Sequence, residues 1–85
     1  MSGLAAIVVE LAEFFVLPKE VRHEFLSAVR ENCLKEGGLR DKRYYYVVPL
    51  SAAKGLKSRF AGTVRFSVCR VPERLKREIE GEFDF

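Results

Sequence analysis

The 85-residue chain has room for one small domain and too little for two. Its 48% hydrophobic content excludes a chain disordered throughout, and no uncharged apolar run approaches the roughly 20 residues that span a bilayer. The net charge of +3 hides an uneven distribution: residues 1–34 carry −2, residues 35–77 carry +9 and the last eight carry −4.

The first apolar segment supports two readings. Leu4, Ile7, Val8, Leu11, Phe14 and Phe15 repeat at helical spacing, whereas Ile7-Val8-Val9 and Phe14-Phe15-Val16 favour a strand. A strand centred on residues 6–16 is the preferred expectation. Residues 18–35 predict a helix, with Val21, Phe25, Ala28, Val29 and Cys33 on one stripe and Gly37-Gly38 as its stop. Arg43 to Val48 is aromatic and β-branched and predicts a strand. Residues 51–61 suit a short helix opened by Ser51. Thr63 to Val71 alternates as a further strand, and Pro72 opens a helix to about Glu80. The end, Glu78 to Phe85, alternates acidic and other residues. It reads either as a short edge strand or as an acidic aromatic tail that engages a protein partner.

The expected fold is therefore α+β, a single domain over 1–85, with a ferredoxin-like (split βαβ) sheet and helices on one face. The alternative is an N-terminal helical pair packed on a β-hairpin. Val9 to Asn32 resembles the first strand and helix of antibiotic-biosynthesis-monooxygenase-type domains, which are dimeric ferredoxin-like proteins; the resemblance implies that fold and carries no activity across. Glu78 to Phe85 resembles the C-terminal tips of bacterial and phage single-stranded-DNA-binding proteins, and the resemblance implies partner recruitment.

Catalysis is not expected. His23 is the sole histidine and sits in an ordinary amphipathic pattern, and Cys33 and Cys69 lack the spacing of a metal or redox pair. No glycine-rich phosphate loop is present, so no metal and no cofactor are expected. No basic residue precedes the first apolar stretch, and two cysteines make no disulfide framework. A cytoplasmic location without membrane contact follows as the expectation. The chain lacks Gln and has one Asn amid 32% charged residues, the pattern of proteins from hot environments.

The basic middle is the functional signal. With Tyr44, Tyr46 and Val48 facing a core beside Val64, Phe66 and Val68, the opposite face carries Arg43, Tyr45, Val47, Thr63, Arg65 and Ser67. Tyr45 offers a ring for base stacking, and Arg43 and Arg65 offer guanidinium groups, with Lys54, Lys57 and Arg59 extending the cationic surface. The span Phe60 to Val68 lacks the paired outward aromatics of the RNA-recognition fold. The expected function is binding of single-stranded DNA or RNA through Arg43, Tyr45, Lys54, Lys57, Arg59 and Arg65. The alternative is an assembly module, a homodimer that buries the same face without nucleic acid.

Overall fold

The computed structural model of the chain describes residues 3–71. Its elements are strand β1 (Leu4–Glu10), a one-turn helix α1 (Leu11–Phe14), helix α2 (Lys19–Arg30), strands β2 (Lys35–Leu39) and β3 (Arg43–Pro49), helix α3 (Leu50–Phe60) and strand β4 (Ser67–Arg70). The four strands form one antiparallel sheet in the order β2-β3-β1-β4. The α+β class stands, and the alternative with a helical N-terminus does not, because residues 4–10 pair with β3 and residues 5–8 pair with β4 as well.

Side-chain alternation divides the sheet into two faces. Ala5, Ile7 and Val9 of β1 meet Tyr46 and Val48 of β3 on one face, and Phe14, Phe25, Val29, Ala53, Leu56 and Phe60 cover them. All three helices thus contribute to a core on one side of the sheet. The other side, here the open face, carries a second small buried cluster of Ala6, Val47 and Val71, flanked by Leu4 and Tyr45.

Three expected boundaries move. The first strand ends at Glu10, not at residue 16, because its partner runs out there: Glu10 stands opposite Arg43, the first residue of β3. The Leu11 N–H is captured by the Lys42 carbonyl at 2.9 Å. The chain then coils so that Phe14 is buried, while Phe15 and Val16 are 60% and 80% exposed. The second helix stops at Arg30, five residues early. Asn32 and Cys33 make tighter three-residue-type bonds to Val29 and Arg30, and the Leu34 N–H already donates to Val47 in the sheet. Gly37 and Gly38 do not stop a helix; they lie in β2 opposite Tyr45 and Tyr44.

No glycine in 3–71 takes a positive φ; the left-handed backbone falls on Asp41 (62°) and Lys42 (55°), in the three-residue turn between β2 and β3. Gly37 serves a different need. A Cβ at this position would stand 3.1 Å from the Tyr45 ring, so the missing side chain lets that ring lie across β2. The last expected strand also shortens. Thr63 and Val64 still bond back to Phe60 at the end of α3, and pairing with β1 begins at Ser67. The helix expected from Pro72 and the segment Glu78 to Phe85 lie outside the described residues.

Candidate nucleic-acid interface

On β3 the backbone period of two sends Tyr44 and Tyr46 to the helix side and Arg43, Tyr45 and Val47 to the open face. Register adds Lys35, Gly37 and Leu39 of β2, Val8 and Glu10 of β1, and Ser67 and Cys69 of β4 to that open face. Tyr45 is half-buried, and its ring is seated on Gly37. Arg43 is held toward the neighbouring turn: its Nε donates to the Arg40 carbonyl at 3.2 Å, and its guanidinium stands 4.0 Å from Asp41. Val47 points to this face as expected but is completely buried beside Ala6 and Val71. The middle of the face is therefore apolar, with Arg43 at the β2–β3 turn and Lys35 opposite Val47 at the other end of β2.

The expected site residues separate into three groups. Arg43 and Tyr45 come together on the open face. Lys54, Lys57 and Arg59 are exposed on α3, which packs against the other side of the sheet through Ala53, Leu56 and Phe60. Arg59 is also engaged there, donating to Glu24 at 2.9 Å and lying 4.9 Å above the Phe60 ring. Arg65 stands in the irregular segment before β4, not on a strand, and donates to Glu13 at 3.0 Å. Two cations passed over in the sequence, Arg40 and Lys42, are exposed in the turn that Arg43 closes. The basic run Arg40–Arg43 was the available signal.

A second polar arrangement sits on the helix side. Glu36 of β2 accepts from Arg30 Nη2 at 3.2 Å and Nε at 3.4 Å, and from the Tyr44 hydroxyl at 3.0 Å. The Cys33 thiol donates to the Lys35 carbonyl at 3.2 Å. The carboxylate of Glu36 raises Arg30 above its ordinary pKa, chiefly through the hydrogen bond. Burial is the main cause of the upward shifts of Cys33 and Tyr44, and burial pushes Tyr46 up to about 12. A thiol held protonated in this way is a poor nucleophile. Cys33 and Cys69 are both free, and they fall on opposite sides of the sheet. The signal for this knot was the order Lys35-Glu36-Gly37-Gly38 before a short turn, an arrangement that also fits a hairpin arm.

Glu36→Ala is expected to lower the unfolding free energy by roughly 1–2 kcal/mol, because it removes a partly exposed ion pair and the acceptor of a part-buried tyrosine. Glu36→Gln keeps an acceptor and should recover about half of that loss. Urea denaturation of both variants checks this; two midpoints equal to that of the unaltered chain would show that the knot adds nothing.

Among the described residues no three His, Cys, Asp or Glu side chains are grouped to hold a metal ion, and no helix is long and apolar enough to cross a membrane. His23 is exposed on α2. Compared with protein-family models, curated proteins and solved structures, the chain matches none of them.

Proposed function

We propose that this protein binds single-stranded nucleic acid at the β2–β3 end of its open sheet face. The observation that carries the reading is Tyr45, its ring laid over Gly37 beside Arg43 and the exposed cations Arg40 and Lys42. A base stacks on the ring, a contact worth on the order of 1–3 kcal/mol. The three cations take the phosphates on either side. Lys54 and Lys57, with Arg59 and Arg65, belong to other surfaces and act as a supporting positive field rather than as contacts to the stacked base. The role is binding, not turnover. We read the sheet as the split βαβ, ferredoxin-like arrangement; its support is that β3 runs between β1 and β2 and antiparallel to both.

Fluorescence anisotropy with labelled single-stranded DNA, single-stranded RNA and duplex DNA tests the proposal. With three phosphate contacts, log affinity for a single strand falls against log salt with a slope of about −2. Arg40→Ala with Lys42→Ala flattens that slope by about 1.4. Tyr45→Ala weakens single-strand binding roughly tenfold and leaves duplex binding nearly unchanged. Absence of binding at about 50 mM salt overturns the reading.

A second reading rests on a different observation: Leu4, Val8 and Leu39 share the open face with the buried Ala6–Val47 pair. That composition suits a homodimer interface. It predicts that Leu39→Asp or Val8→Asp shifts the sedimenting species from dimer to monomer, without any change in anisotropy.

A further inference from the structure

The helix side of the sheet contains a cleft of about 340 Å³ between α1, the middle of α2 and β3. Its walls are Leu11, Phe14, Phe15 and Leu26, and its polar end is formed by Tyr44, Tyr46 and Arg30. This cleft is separate from the open face and owes nothing to the nucleic-acid reading. Its volume lies at the lower end of the range for small-molecule sites, roughly 300–1,000 Å³.

Tyr46 distinguishes the cleft from an ordinary surface furrow. It is 4% exposed, yet among the described residues its hydroxyl neither donates nor accepts a hydrogen bond, whereas the neighbouring Tyr44 hydroxyl donates to Glu36. Among the described residues the Tyr46 oxygen is not sealed off, and the cleft is the opening that Tyr46 lines. The hydroxyl, at the polar end of the cleft, is a donor without a partner among the described residues, and an acceptor oxygen of a guest there would take the place of water.

The charge at the polar end selects the kind of partner. Arg30 is held by Glu36 through two nitrogens, so its positive charge is offset within the protein. Tyr46 is uncharged through the physiological range. An anion gains little from such a pair, while a neutral molecule with one acceptor oxygen loses little water on entering. The walls select shape. Phe14 and Phe15 meet at an interplanar angle of 63° with centroids 6.0 Å apart; Phe14 is buried against Phe25, so Phe15 is the ring open to a planar guest. Phe15, 60% exposed, is the apolar surface such a guest would cover.

We propose that this cleft binds a neutral aromatic molecule of one or two rings bearing a carbonyl oxygen, with that oxygen accepting from the Tyr46 hydroxyl and the rings lying against Phe14, Phe15, Leu11 and Leu26. The test is an amide-resolved NMR titration of the full chain with three probes: acetophenone, ethylbenzene, which lacks the oxygen, and benzoate, which carries a charge. Saturable shifts are expected at Leu26, Arg30 and Tyr44, with acetophenone bound about five- to tenfold more tightly than ethylbenzene. Tyr46→Phe, which removes only the unpartnered hydroxyl, erases that ratio and leaves ethylbenzene binding unchanged. Benzoate binds no more tightly than acetophenone. The comparison of acetophenone with ethylbenzene on the unaltered chain stands whether or not the variant folds. Absence of saturable shifts, equal affinity for acetophenone and ethylbenzene, an unchanged ratio in folded Tyr46→Phe, or a tenfold preference for benzoate would each overturn the proposal.

Discussion

Phe25→Ala is expected to lower the unfolding free energy by roughly 3–5 kcal/mol. Phe25 is completely buried on α2, and its ring lies 5.8 Å from Phe14, 5.2 Å from Phe60 and 5.3 Å from Phe66. One side chain therefore joins α1, α2, α3 and the segment leading into β4. Removing it leaves a hole whose walls come from four separate stretches of chain, and no single one can move to close it. Domains of this size are typically stable by only about 5–10 kcal/mol, so the variant should lose roughly a third or more of its stability. Urea denaturation followed by circular dichroism measures the loss. Phe15→Ala, at a ring mostly in solvent, is the matched control and should fall within about 0.5 kcal/mol of the unaltered chain. A loss below about 1 kcal/mol for Phe25→Ala would mean that the four segments do not depend on this ring.

The second large effect is alkaline destabilisation centred on Tyr46. Burial pushes its hydroxyl up to about 12, against an ordinary value of 10. The fold thus favours the neutral phenol. The unfolded chain begins to ionise near pH 10, and the stability tied to the phenol is lost as pH rises from there through about 12. The full loss is on the order of 2–3 kcal/mol. Tyr44 and Cys33, both also raised by burial, act in the same direction. Urea midpoints taken from about pH 8 to about pH 11.5 should fall steeply above pH 10 for the unaltered chain. They should fall less steeply for Tyr46→Phe, which has no phenol to ionise at that position. Parallel profiles for the two proteins would show that Tyr46 titrates normally.

Much of the local structure can be read from residue order, and the failures share a cause. The faces of β3 follow from alternation alone: Tyr44, Tyr46 and Val48 turn to the helices and Arg43, Tyr45 and Val47 turn away. Residues 51–61 are close to α3 as well, although Pro49 and not Ser51 occupies the capping position. What residue order does not carry is the partner. β1 stops where β3 starts, so Phe14-Phe15-Val16 coils despite strong strand preference. β2 is built on a Gly-Gly pair with little strand preference of its own, and it exists because Tyr45 and Tyr44 stand opposite those glycines. Arg65 alternates correctly in the sequence yet lies before its strand begins, and there it meets Glu13. The candidate site shows the same division. Arg43 and Tyr45 share a face because they are two residues apart on one strand. Lys54, Lys57 and Arg59 were joined to them by sequence proximity, but α3 packs on the other side of the sheet.

The position of β1 in the sheet has a consequence for how the chain reaches this state. β1 lies between β3 and β4 and leaves the ribosome before the other described strands, while its two neighbours are the third and the last of them. Helix α2 and the β2–β3 hairpin need only short loops to form, and they can organise early. The Ile7-Val8-Val9 run has no such local option and stays unpaired until β3 has been made. Refolding should accordingly be limited by closure of long chain segments onto β1 and be slower than the microsecond-to-millisecond scale of helical bundles.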